Sequence, residues 1–308
     1  MRFAVIDVGT NSVKLHVGER TDGNAWQTVS DRAEVTRLGE GLDEHGVLQA
    51  EPMRRTADAV VEMVEESRRL GVTEIAAVAT AGMRIAKNSA ELVDTVRERC
   101  GVEIEVISGE DEARLAYIAA TSELDVGQGP LVVFDTGGGS SQFSFGRPGH
   151  VEERFSVNVG AARFTERFGL DGVVSDDTLA EARHAIATDL AQLDGRPRPD
   201  ALVGMGGALT NLAAVRHELA EYDPDVIHGT VLDRTEIDRQ IELYRTRTGA
   251  ERETIVGLQP ARAKVILAGA LIVRTVLEKL QCDALRVSDR GLRHGVLVER
   301  FGEFVRSG

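Results

Sequence analysis

Little in this chain can cross-link, stack or cross a membrane. Its two cysteines, Cys100 and Cys282, make no disulfide framework and show no metal-ligand spacing, so a reducing cytoplasm is the expected setting. Aromatic residues make up 4% of the sequence, too few for the stacking platforms that hold single-stranded nucleic acid. Basic residues are outnumbered, 36 Lys and Arg against 50 Asp and Glu, for a formal net charge of −14. No nucleic-acid partner is expected, because a basic face is what such a partner requires. Long apolar runs are also missing. The stretch Val265 to Val273, bracketed by Lys264 and Arg274, is too short to span a bilayer and reads as a buried helix. No membrane partner is expected, and no signal peptide, since Met1-Arg2 runs directly into strand-like sequence. None of the seven histidines pairs with another His or Cys at helical ligand spacing, which argues against a zinc site. His228 and His294 are accordingly read as structural. A polyanionic substrate survives all this, because screening beyond about 8 Å leaves a few local groups to decide what enters a site.

What is present is a repeat. Val5-Ile6-Asp7-Val8-Gly9-Thr10-Asn11-Ser12 returns as Val133-Phe134-Asp135-Thr136-Gly137-Gly138-Gly139-Ser140, with Asp7 answering Asp135 and Ser12 answering Ser140, 128 positions on in each case. Each copy is an apolar run ending in Asp, then a cluster of Gly and small hydroxyl residues, then a second alternating run: strand, tight turn, strand. Glycines let backbone N–H groups converge on an anion, and an Asp closing a buried strand can hold a cation beside it. Gly9, Thr10, Asn11 and Ser12, with Gly137, Gly138, Gly139 and Ser140, are thus the candidate phosphate-binding groups. Asp7 and Asp135 are the candidate ligands of Mg²⁺, an ion that seeks oxygen and bridges to phosphate.

Between and after the copies, strands alternate with helices, the pattern of an α/β protein. The periodicity predicts a helix from about Glu51 to Leu70, a strand Glu74 to Ala79, a helix Ala90 to Arg99, a strand Val102 to Ile107 and a helix Asp111 to Ser122. The turn-rich Asp125-Val126-Gly127-Gln128-Gly129-Pro130 puts the domain boundary there, giving domains 1–125 and 126–308. The second half opens with three strands and continues with the glycine-rich turn Gly204-Met205-Gly206-Gly207, a helical region with Pro260 near its start, and a strand Leu285 to Val287.

Two further residues carry chemistry. Glu110, Asp111 and Glu112 fall in a first helical turn, where acids complement the helix dipole and Ser108 can cap the end. Glu112 differs from its neighbours: Leu115, Ala116 and Ala119 follow on its face, so it points inward. A carboxylate so aimed is a candidate general base. Arg84 follows a strand and the Thr80-Ala81-Gly82 turn, at the sheet end where α/β ligands bind. On its residues alone, it is as readily a solvated loop arginine as a phosphate ligand.

With these residues in hand, the chain resembles the exopolyphosphatase and guanosine pentaphosphate phosphohydrolase (Ppx/GppA) family. The resemblance runs through IDVGTNSVKLHV at 6–17, ATAGMR at 79–84, ISGEDEARLAY at 107–117, VFDTGGGSSQF at 133–143, VGAARFTE at 159–166, VGMGGALTNLA at 203–213, LQPARAKVILAGA at 258–270 and VSDRGLRHGVL at 287–297. It implies two duplicated ribonuclease-H-like (actin-like) domains with a cleft between them. It also implies Glu112 as catalytic base, Arg84 as catalytic phosphate contact, and Mg²⁺ as cofactor. The implied activity is hydrolysis of the terminal phosphoanhydride bond of inorganic polyphosphate, with guanosine pentaphosphate as the alternative substrate. An actin-like sugar kinase, suggested by the VGMGGALTNLA segment, and a non-enzymatic alarmone or polyphosphate sensor are the rivals from other classes. Gln142 and His294 stand where the family usually has Glu, which puts one metal-facing contact in question. Because the chain stops short of the extra C-terminal domains of longer members and is acidic, short polyphosphates and distributive cleavage are expected. A homodimer is the default assembly.

Overall fold

The computed structural model describes residues 1–10, 12–21, 26–121 and 124–302. Asn11, expected in the first loop, lies outside them. Two compact units divide the chain: Met1–Ala119 together with Leu292–Gly308, and Ala120–Gly291. The boundary expected after residue 125 thus falls slightly earlier, and the stretch from Leu292 belongs to the first unit. Apolar burial is the reason: Val296, Leu297 and Phe301 of the Leu292–Phe301 helix pack with Phe3, Val5, Ala76 and Val78. The Phe3 and Phe301 rings stack at 4.5 Å. Each such side chain removed from water contributes about 1.5–3 kcal/mol.

The first unit holds strands β1 (Arg2–Val8), β2 (Ser12–Arg20), β3 (Trp26–Val35), β4 (Glu74–Ala79) and β5 (Ile104–Val106) in the order β3-β2-β1-β4-β5. The second holds β6 (Leu131–Thr136), β7 (Ser141–Arg147), β8 (His150–Val157), β9 (Ala201–Met205), β10 (Val231–Asp233) and β11 (Ala284–Ser288) in the order β10-β11-β9-β6-β7-β8. Read from the β8 edge, the second sheet repeats the first, with β10 added. The pairing senses agree as well. β1 lies antiparallel to β2 and parallel to β4, and β6 lies antiparallel to β7 and parallel to β9. A register irregularity between Val17 and Gly18 recurs between Phe145 and Gly146, the same 128 positions on. The duplicated fold read from eight residues therefore extends to whole sheets.

Most elements fall where periodicity places them. The first long helix spans Ala50–Arg69, the next Ser89–Cys100, and the acidic one Gly109–Thr121. The strand expected over 102–107 shrinks to Ile104–Val106, because it sits at the sheet edge and pairs with β4 over three residues only. The apolar run around Val265 becomes the Ile266–Lys279 helix, buried on nearly every face in the core of the second unit. Gly269 lets that helix approach the Gly207–Arg216 helix closely: a Cβ there would sit 2.9 Å from the Ala208 Cβ.

Candidate functional site

Both glycine turns close in the same way. The Gly9 N–H donates to the Ser12 carbonyl at 3.0 Å and the Gly137 N–H to the Ser140 carbonyl at 2.9 Å. These N–H groups were expected to face an anion. Instead they tie the ends of the two hairpins, because a tight turn between antiparallel strands must satisfy its own first donor. Gly9 is needed for this approach, since a Cβ there would lie 2.9 Å from the Ser12 oxygen.

In the first unit, the turn is locked through a side chain. The Thr10 hydroxyl accepts the Gly82 N–H at 3.0 Å, and its carbonyl accepts the Gly39 N–H at 2.8 Å. Neither partner could carry a side chain: a Cβ on Gly39 would meet Thr10 Cγ2 at 2.3 Å, and one on Gly82 would meet Thr10 Oγ1 at 2.9 Å. Thr10 thereby seats the short Ala81–Ile85 helix that carries Arg84. Arg84 Nη1 donates to the Ile107 carbonyl at 3.0 Å and to Glu112 Oε2 at 2.7 Å. The two side chains are 27% and 35% exposed, so the pair is partly desolvated yet open to a ligand. Ser108 caps the Glu112 helix as its sequence implies, accepting the Asp111 N–H at 3.0 Å. Leu115 and Ala119 are buried behind Glu112 while Glu110 is exposed, so the inward face is as read.

Asp7 lies next to last in β1 at 8% exposure, and its Oδ1 is buried with no hydrogen-bond partner among the described residues. Burial pushes its carboxyl above the usual carboxylate range; Lys14 and Arg293 pull the other way, and Glu112 adds to the rise. A buried carboxylate oxygen left without a donor is what a cation site needs, so the residues present fit Mg²⁺ here. Lys14 and Arg293 escaped the sequence reading. Lys14 had a signal, since it stands directly across from Asp7 in the hairpin. Arg293 had none, since it reaches Leu15 and Asp31 from the far end of the chain, at 3.0 and 2.7 Å.

The second unit locks its turn through backbone alone. The Gly137 carbonyl accepts the Ala161 N–H at 2.9 Å, and the Gly138 carbonyl accepts those of Ala162 and Arg163 at 2.9 and 3.1 Å. The first turn of the Ala161–Phe168 helix thus holds the loop from behind. Gly160 is required there, because a Cβ would lie 2.4 Å from the Gly138 oxygen. Among the described residues the N–H groups of Gly138 and Gly139 have no partner. Asp135, half-buried at the end of β6, lies against the glycine-rich turn after β9. Its Oδ1 would be 2.2 Å from a Cβ on Gly206, a residue at φ 94. Arg262, unassigned from sequence, lays its guanidinium over Gly207, 2.7 Å from where a Cβ would be. Gln142, in the position of the usual Glu, donates to Ser140 Oγ at 2.8 Å. It therefore orders the loop hydroxyl rather than offering a carboxylate.

A duplicated sheet with a glycine turn and a strand-end aspartate in each copy defines the actin-like, ribonuclease-H-like class of proteins. The chain belongs to the Ppx/GppA phosphatase family, whose family model matches residues 16–304. The crystal structure of the Aquifex aeolicus family member is 34% identical and superposes with a TM-score of 0.90, over 100% of this chain and 99% of that one. Exopolyphosphatase 2 of Mycobacterium tuberculosis is 29% identical over 320 residues, covering 98% of this chain and 99% of its own. A bifunctional 3-dehydroquinate synthase/phosphatase of Fusobacterium nucleatum is 28% identical over 96% of this chain, which spans 46% of that longer protein. Among the described residues no helix is long and apolar enough to cross a membrane.

Proposed function

We propose that this phosphatase-family protein is an exopolyphosphatase, hydrolysing the terminal phosphoanhydride bond of inorganic polyphosphate and releasing orthophosphate. The observation that carries the reading is the Arg84–Glu112 pair at 2.7 Å, set on a helix start beside the turn that Thr10 anchors. Arg84 is the natural partner of a terminal phosphate, whose charge it can take bidentately. When phosphate draws Arg84 away, Glu112 is released to accept a proton from the attacking water. The new P–O bond forms, the bridging P–O bond breaks, and the shortened polyphosphate departs with the electron pair. Each unit, taken by itself, offers candidate donors to phosphate oxygens: the Thr10 and Ser12 hydroxyls in the first, and the Gly138 and Gly139 N–H groups with the Ser140 hydroxyl in the second. Asp7 in the first unit and Asp135 in the second would each be a ligand for Mg²⁺, which when bound neutralises charge developing on phosphate oxygens. The exopolyphosphatases among the chain's relatives support polyphosphate as the substrate.

The test is orthophosphate release from polyphosphates of several lengths, guanosine pentaphosphate and ATP, with Mg²⁺ and with excess chelator. Release from polyphosphate that vanishes on chelation is the expected result. Faster turnover of guanosine pentaphosphate would replace the substrate named here, and full activity in chelator would remove the metal. Transfer from ATP to a sugar would make the protein a kinase, and binding without turnover would make it a sensor.

A further inference from the structure

We infer that His16, Asp31 and His294 form a binding site for a divalent transition-metal ion of the zinc class. His16 and Asp31 stand directly opposite one another on β2 and β3, with His16 Nδ1 3.0 Å from Asp31 Oδ2. His294 comes from the Leu292–Phe301 helix, and the two imidazole rings lie 4.3 Å apart, tilted by 50°. One ligating atom of each residue lies within 4.8 Å of the others. A tetrahedral zinc ion with bonds of about 2.0–2.2 Å sets its ligand atoms about 3.4 Å apart, so closing the site takes side-chain rotation rather than backbone movement.

Burial and charge favour the same reading. The imidazoles are 1% and 7% exposed, whereas the Asp31 side chain is 41% exposed, so the carboxylate is the solvent-facing entrance to a buried pair of nitrogen ligands. Two polar rings side by side in a core carry a desolvation cost that an apolar pair would not. His16 offsets part of it through Asp31 at 3.0 Å, and an ion would add to that contact. Arg293 already holds the other Asp31 oxygen, Oδ1, at 2.7 Å, and so aims Oδ2 at the imidazoles in the manner of groups that orient metal ligands. Two imidazoles and one carboxylate suit Zn²⁺, Ni²⁺ or Fe²⁺; Mg²⁺ prefers oxygen ligands in an octahedron. The ligands come from three elements, so spacing along a single helix could not show them. A bound ion would clamp the Leu292–Phe301 helix, which rejoins the first unit from the end of the chain, onto the β2–β3 hairpin.

The experiment is metal binding to the whole chain stripped with chelator and dialysed free of it. Titration with Zn²⁺ should give one strongly bound ion per chain and raise the thermal midpoint. Co²⁺ should develop the intense visible absorption of a four-coordinate site, and Mg²⁺ in excess should displace neither ion. Asp31→Asn and His294→Gln should each weaken Zn²⁺ binding at least about tenfold. Circular dichroism checks their folding; Asp31→Asn, at a half-exposed position, keeps the test standing if the buried change does not fold. Absence of stoichiometric Zn²⁺ binding, or binding that persists unchanged in the folded variants, overturns the site. Neither readout uses phosphatase substrate, so it stands or falls apart from the polyphosphate reading.

Discussion

The two glycine turns share their closing hydrogen bond, Gly9 to Ser12 and Gly137 to Ser140, and differ in what holds them and what surrounds their aspartates. The first is gripped by a side chain, the Thr10 hydroxyl, and is linked by it to the helix of Arg84. The second is gripped by helix N–H groups on the Gly137 and Gly138 carbonyls, and the Gly138 and Gly139 N–H groups have no partner among the described residues. Asp7 is buried with an orphaned oxygen; Asp135 is half-buried against Gly206. The Glu112 acid has no counterpart proposed in the second unit. Duplication thus preserved a backbone device while changing what anchors it: a threonine side chain in the first copy, helix N–H groups in the second.

The largest expected break in that division is Glu112→Gln, which should lower the catalytic rate at least about a hundredfold with the fold intact. Glu110→Gln, one turn position away and exposed, should change it little. Steady-state kinetics on both variants check the contrast, and similar losses would end the assignment of Glu112.

Next come the aspartates. Both Asp7→Asn and Asp135→Asn should depress Mg²⁺-dependent activity, but only Asp7→Asn should stabilise the metal-free protein. The sign follows from burial, which raises the Asp7 carboxyl above its unfolded value. Its charged form therefore costs stability above the folded pKa, and the cost fades as pH falls through that pKa toward the unfolded one. The advantage of Asp7→Asn in chemical denaturation should be greatest near neutral pH, shrink on acidification, and reverse when Mg²⁺ is added. An equal gain from Asp135→Asn would erase the difference between the copies.

Smaller effects probe the two anchors. Gly160→Ala drives a methyl into the Gly138 oxygen and should cost about 1–3 kcal/mol, read as a lowered denaturation midpoint. Thr10→Val removes one hydrogen bond and should cost about 1 kcal/mol, with a KM increase as Arg84 loses its seat. Gly139→Ala meets nothing within 4 Å and should leave stability nearly unchanged. Smallest of all is Gln142→Glu, within about 0.5 kcal/mol in stability, because the Ser140 hydroxyl can turn to donate. It should lower the Mg²⁺ concentration needed for half-maximal activity.

The strand Glu74–Ala79, the cap at Ser108, the inward face of Glu112 and the duplicated hairpin were all legible in the amino-acid order. Each depends on periodicity or dihedral preference acting over a handful of residues, and such signals sit next to one another in the chain. The engaged Gly9 and Gly137 N–H groups were not legible, since a glycine turn advertises donors without saying which of them its own backbone will take. Arg262 over Gly207 was missed for a related reason, because nothing local says where a long side chain will lie.

Sequence alone thus determined the class of fold, the two glycine turns and the acid that stands apart from its neighbours. Tertiary structure alone decided that the chain beyond Leu292 folds back onto the first unit. It also decided that Arg293 meets Leu15 and Asp31 across 278 and 262 positions, and that the His16 and His294 rings lie 4.3 Å apart. Those meetings are driven by the apolar burial of Val296, Leu297 and Phe301 against β1 and β4. Burial is non-directional and indifferent to separation along the chain, so it leaves no mark of its partners in the sequence.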